Sequence, residues 1–177
     1  MDAAASIAAA ARAAITSAIA RLTAAHAPTE SLAELRIPRR LGPLRRAPRF
    51  VPVSEVWRLG VLLLAVGPDG TGRPYATGAV KRARDPRHPN FTSASGEERR
   101  EVREAARRAG FAAGQTVDYD AAALAFDDTL GTIGPLVLCD GELFVSWNAS
   151  RSPESLAPFA AYLAERVELL ADPPQGA

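Results

Sequence analysis

Prolines 38, 43, 48 and 52 punctuate a stretch that otherwise repeats arginine, as Pro38-Arg39-Arg40, Pro43-Leu44-Arg45-Arg46 and Pro48-Arg49. Each proline removes a backbone N–H, fixes its own φ and biases the preceding residue to extended geometry, so no regular helix can cross the stretch. Residues 36–52 are therefore expected as an irregular strap, with strand structure beginning only after Pro52. The strap sets the expected organisation: an N-terminal helical arm over 1–35, the strap over 36–52, one domain over 53–172 and a poorly ordered tail over 173–177.

Charge is divided in the same way. Arg36, Arg39, Arg40, Arg45, Arg46 and Arg49 meet no acid until Glu55, whereas Asp118, Asp120, Asp127, Asp128, Asp140 and Glu142 fall between Arg108 and Arg151 without one Lys or Arg among them. The net charge of +1 conceals this opposition. The strap is expected to lie across the acidic part of its own fold and be neutralised there; the alternative is a surface for an external anion. In that alternative the binding residues are Arg39, Arg40, Arg45 and Arg46, together with Arg87 and Asn90. Nucleic acid is not expected as a partner, because Phe50 is the one aromatic near the strap and single-strand binders interleave aromatics with cations.

With 177 residues and 47% hydrophobic content the chain can bury one ordinary core. Ile7, Ala11, Ala14, Ile15, Ala18 and Leu22 recur at helical spacing, which predicts a helix over 3–25 with a small-residue stripe. Arg12, Arg21 and the predominance of alanine favour a soluble helix over a membrane span. The stripe is expected to pack on the same chain, with self-association through this helix as the partner reading.

Val56–Val66 is a continuous apolar run ahead of Gly67-Pro68-Asp69-Gly70, as in a strand buried on both faces, and Pro74–Arg82 is expected to return as its partner. Leu136–Cys139 and Glu142–Trp147 flank Asp140-Gly141, a two-residue hairpin turn. That turn pairs Cys139 with Glu142 and Leu138 with Leu143, and both faces of the pair suit an interior position. Ser95 with Glu98 forms a capping box for a helix over 96–109 that ends at Gly110 and has Val102, Ala105, Ala106 and Ala109 on its narrow apolar face. Ser152-Pro153 predicts the start of a last helix with Leu156, Phe159, Ala160, Leu163, Val167 and Leu170 inward. These elements give an α+β fold in which an antiparallel sheet of two hairpins is packed by the C-terminal helix.

Chemical signatures are sparse. No Gly-x-Ser-x-Gly or phosphate-binding loop occurs, and Lys81, the single lysine, has Gly78 rather than serine three residues before it. Cys139 could serve as a nucleophile with His88 as base, but a lone cysteine between apolar hairpin residues is more simply a small buried hydrophobe. Asp118, Asp120, Asp127 and Asp128 do not match a cation-binding loop, and Asp120 is expected to cap a short helix over 121–126. No metal or other cofactor is implied. The Asp85–Ser95 loop gathers Arg87, His88, Asn90 and Phe91 between prolines and is a candidate binding loop.

Val56-Trp57-Arg58-Leu59-Gly60-Val61-Leu62, Tyr75-Ala76-Thr77-Gly78, the stretch Pro89–Ser95 with Glu97–Arg100, and Gly110-Phe111 with Val117–Asp120 resemble a family of small Ala- and Arg-rich proteins of high-GC bacteria. Some of its members bear the label glutaminase. The resemblance implies one α+β domain; glutaminase activity rests on a serine and a nearby lysine, and this chain has no Ser-x-x-Lys. The leading functional expectation is a cytoplasmic binding or assembly module without catalysis. The second is a small amidohydrolase-like enzyme using His88, Asn90, Asp118 and Asp120, and the third is anion or nucleic-acid binding by the strap.

Overall fold

The computed structural model describes residues 3–37, 47–67, 72–82, 102, 104–112, 114–127, 130–131, 134–148 and 151–174. In chain order its elements are α1 (Ala3–Ala24), β1 (Glu30–Arg36), β2 (Arg49–Leu59), β3 (Leu62–Ala65), β4 (Pro74–Ala76), β5 (Ala79–Arg82), helical residues 104–108 (α2), β6 (Thr116–Tyr119), β7 (Ala122–Ala123), β8 (Leu136–Cys139), β9 (Glu142–Ser146), β10 (Leu156–Pro158) and α3 (Phe159–Ala171). The protein is α+β. Two compact units interleave along the chain: unit 1 comprises Met1–Thr29, Val56–Thr77 and Ala122–Ala177, and unit 2 comprises Glu30–Glu55 and Gly78–Ala121.

In unit 1 the small-residue stripe of α1 packs within the chain, against α3 and β9. Ala8, Ala11, Ile15, Ala18, Ile19 and Leu22 are buried there, and alanines at the helix surface let the two helices approach closely. From α3 come Phe159, Tyr162, Leu163 and Val167, and from the strands Trp57, Leu59, Leu62, Leu64, Leu136, Leu143 and Val145. The Trp57 indole N–H donates to the Ala27 carbonyl at 3.2 Å, so the largest core side chain is also polar-satisfied.

The apolar run 56–66 is not one strand. Leu59 pairs with Leu62, so Gly60-Val61 is a two-residue hairpin turn with its glycine at φ +66°. The sequence hides the break because residues on both sides of it are buried. Tyr162 locks the turn: its hydroxyl accepts from the Val61 N–H at 3.0 Å and donates to the Leu59 carbonyl at 3.2 Å. A Cβ on Gly60 would lie 2.2 Å from that hydroxyl oxygen.

Strand structure also starts earlier than expected, at Arg49. Among the described residues β3 pairs β2 only across Val56–Leu59, so the first half of β2 has a side on which Pro52, lacking an N–H, is tolerated. Pro74–Arg82 is two strands rather than one. β4 pairs β3 in unit 1 and β5 pairs β6 in unit 2, and the break falls at Gly78, where a Cβ would sit 2.4 Å from backbone atoms of Tyr119 and Asp120.

The β8–β9 hairpin has the expected register, Cys139 with Glu142 and Leu138 with Leu143. Asp140 at φ +50° and Gly141 at φ +78° supply the two left-handed positions such a turn needs. Its position differs from the expected interior one: β9 is central, between β8 and β10, and β8 is an edge with Leu138 and Cys139 exposed. The C-terminal helix begins at Phe159 rather than at Pro153. Pro153–Ser155 is a single 3-10 turn without a side-chain cap from Ser152, and Leu156–Pro158 then pairs with β9 as β10.

In unit 2, β6 lies between β5, antiparallel, and β1, parallel. Residues 30–35, expected within the helical arm, and Arg36, expected in the strap, are thus a strand. Val102, Ala105 and Ala106 turn inward as their spacing predicts, onto Ala33, Phe50, Val117 and Tyr119. Phe50 meets Tyr119 and Phe111 edge to face, at 5.3 and 6.4 Å between ring centroids. Glu104 and Arg108 approach to 3.9 Å on the exposed side, a contact worth little in water. No helix follows Asp120: that residue forms a bend at φ +57° and Ala122–Ala123 is β7. The capping box Ser95/Glu98, the turn residues Pro68–Gly70 and the last three residues lie outside the described residues.

Two glycine substitutions separate strain from collision. Gly141→Ala meets open space and imposes positive φ alone, at about 1 kcal/mol, whereas Gly60→Ala also strikes Tyr162 and should cost about 2 kcal/mol or more in urea unfolding. Equal losses for the two variants contradict the Tyr162 clamp.

Candidate functional site

Where β9 ends, the chain builds a polar joint. Ser146 and Ser155 are each 1% exposed, and their hydroxyl oxygens lie 3.1 Å apart. Ser155 Oγ donates to the Ser152 carbonyl at 2.7 Å, and Ser146 Oγ donates to the Asn148 carbonyl at 2.8 Å. Two hydroxyl protons serve three contacts, so one of the two is shared between a carbonyl and the neighbouring hydroxyl oxygen. Backbone bonds complete the joint: Ser146 N–H to the Pro135 carbonyl at 2.8 Å and Trp147 N–H to the Ser155 carbonyl at 3.2 Å.

The joint turns Trp147, Asn148 and Arg151 to one side of unit 1. Arg151 sits at φ +51°, a conformation that costs about 1–2 kcal/mol for a residue with a Cβ and needs outside support. Its N–H donates to Asn148 Oδ1 at 3.2 Å, and its guanidinium donates to the Gly134 carbonyl. Beside these groups opens a cleft of about 470 Å³. Val61, Ala76, Pro135 and Trp147 line it with apolar surface, and Thr77, Ser146, Asn148 and Arg151 with polar groups. Trp147 is 49% exposed, high for the largest apolar side chain in proteins.

A second hollow, about 310 Å³, runs between α1 and α3. Its walls are alanine, leucine and valine, and its rim is the two-pronged pair of Arg21 with Glu168, at 2.9 Å for each prong. The hydrogen bond from Arg21 holds the Glu168 carboxyl below the usual carboxylate range. What this pair adds is present at neutral pH and lost as pH falls through the lowered value; both partners are solvated, so the contribution is small.

The residues expected to carry chemistry do not gather. Asp118 is 0% exposed on β6 of unit 2, in register with Leu32 and Val80, whereas Asp120 is exposed on the bend two residues later. His88, Arg87 and Asn90 lie outside the described residues, as do Arg39, Arg40, Arg45 and Arg46 of the strap. Of the strap's two described arginines, Arg36 pairs at 2.9 Å with Glu34 of its own strand, not with the acidic block, and Arg49 is exposed. Among the described residues no three His, Cys, Asp or Glu side chains converge as a metal site would require. Cys139 is exposed rather than buried, with its thiol 3.6 Å from Asp140 Oδ2.

Trp147, Asn148, Arg151 and Thr77 were not legible as a set. Hairpin alternation assigns Trp147 to the core face with Leu136, Leu143 and Val145, but β9 ends at Ser146 and the alternation with it. Thr77 comes from a distant turn, where its N–H bonds the Val61 carbonyl at 3.1 Å. Comparisons of the chain with protein-family models, curated proteins and solved structures find no match in any of the three.

Asp140 pushes the Cys139 thiol up, first by its charge and then by accepting its hydrogen bond, so the thiolate is scarce at neutral pH. Iodoacetamide should therefore alkylate Cys139 more slowly than a free cysteine peptide at pH 8, and Asp140→Asn, which keeps the left-handed turn, should accelerate it. Equal rates in the two proteins contradict the carboxylate's role.

Proposed function

We propose that this protein is a cytosolic binding module whose ligand occupies the cleft of unit 1 beside Trp147. The observation that carries the reading is the half-exposed Trp147 on the wall of a cleft lined by both apolar and polar side chains. Its volume falls in the range of small-molecule sites, which join an apolar wall to a few placed polar groups in this way. An indole offers a large rigid surface that gains most when a ligand covers it. An exposed free thiol at Cys139 fits a reducing compartment.

Assembly through α1 is the weaker reading, because the stripe that would pair with a second copy is already packed on α3. The hydrolase reading has less support still, since the Asp118 carboxylate is enclosed in unit 2. A fragment screen by two-dimensional amide NMR tests the cleft. Hits should shift Thr77, Asn148 and the Trp147 indole resonance, and Trp147→Ala should abolish those hits. Hits that perturb only other residues contradict the proposal.

A further inference from the structure

We infer that the ligand of this cleft is a small carboxylate with a flat apolar body, an inference that rests on the cleft being the binding site. The donors and acceptors of its polar lining are unequally engaged. Three acceptors there are already engaged by the protein: the Gly134 carbonyl by the Arg151 guanidinium, Asn148 Oδ1 by the Arg151 N–H, and the Asn148 carbonyl by Ser146 Oγ. The Ser146 hydroxyl is turned inward to the joint and offers the cleft no proton.

The donors are disposed differently. A guanidinium carries five N–H groups in a planar fork, so Arg151 can hold the Gly134 carbonyl and still face a carboxylate with the rest. Among the described residues of the wall Arg151 is the one ionised side chain, with no Asp or Glu beside it. A cationic ligand would meet a like charge and, beside the Thr77 hydroxyl, acceptors already engaged, whereas a ligand with one negative charge matches the Arg151 fork. One guanidinium balances a carboxylate better than a phosphate, which carries nearly two charges at neutral pH. Val61, Ala76 and Pro135 with the Trp147 indole then contact an apolar body, and a flat one stacks best on that ring.

The test compares three probes on the full chain by NMR titration: 2-naphthoate, its neutral counterpart 2-naphthamide, and inorganic phosphate. The expected result is saturable naphthoate binding with shifts at Thr77 and Trp147, the amide weaker by about tenfold as suits the loss of a charged hydrogen bond. Phosphate should not compete. Arg151→Asn, which tolerates left-handed backbone, should reduce naphthoate to the level of the amide. The wild-type acid-to-amide ratio decides the matter even if that variant fails to fold. Equal affinity of acid and amide, with shifts at the same residues, overturns the carboxylate and leaves the cleft standing; so does phosphate competing as tightly as naphthoate. Shifts confined to other residues for every probe, together with a fragment screen that finds nothing there, overturn the cleft itself.

Discussion

Two buried serine hydroxyls hold the arrangement on which the candidate site depends. Ser146 and Ser155 join the end of the central strand β9 to the 3-10 turn before β10, and their oxygens stand in contact inside unit 1. A buried hydroxyl without a partner costs about 1–3 kcal/mol, so the pair is favourable only when the intervening chain supplies the Asn148 and Ser152 carbonyls. The intervening segment is thereby specified, and with it the outward aim of Trp147 and the unusual backbone of Arg151. Strain at Arg151 persists because three groups hold the residue on both sides: Asn148, Gly134 and the joint.

The same logic of polar satisfaction places the cleft's opposite wall. Val61 and Thr77 reach it because the β2–β3 turn is pinned by the Tyr162 hydroxyl and because Thr77 N–H bonds the Val61 carbonyl. Tyr162 is itself covered by the Arg166 guanidinium, 5.4 Å above its ring. Helix α3 thus contributes the unit 1 core from one face and the turn geometry from a single hydroxyl. The cleft has walls from β3–β4, from β8–β9 and from the joint, all within one unit.

The sequence was most legible where a local turn chemistry and an alternation agree. Asp140-Gly141 dictated the β8–β9 register because both turn positions demand positive φ, and α1 announced its buried stripe through residues such as Ile15, Ala18 and Leu22. It was least legible where burial on both faces erases periodicity: the Gly60 turn is invisible inside an apolar run, and only the hydroxyl of Tyr162, a hundred residues away, makes it necessary. Ser152-Pro153 carried a helix-start signal that the pairing of Leu156–Pro158 with β9 overrides. Of the strap's arginines only Arg36 and Arg49 fall among the described residues, and Arg36 is answered by its near neighbour Glu34. The cleft could not be read at all, because its members come from separate strand ends and connections whose positions are set by tertiary hydrogen bonds.

The joint holds Trp147 in place before any ligand arrives. Time-resolved fluorescence anisotropy of a Trp57→Phe chain, in which Trp147 is the remaining indole, tests this directly. Decay should be dominated by tumbling of the whole molecule, with a large sub-nanosecond component added by Ser155→Ala. Dominant sub-nanosecond motion of Trp147 with Ser155 intact, or decay indifferent to the loss of that hydroxyl, would contradict it.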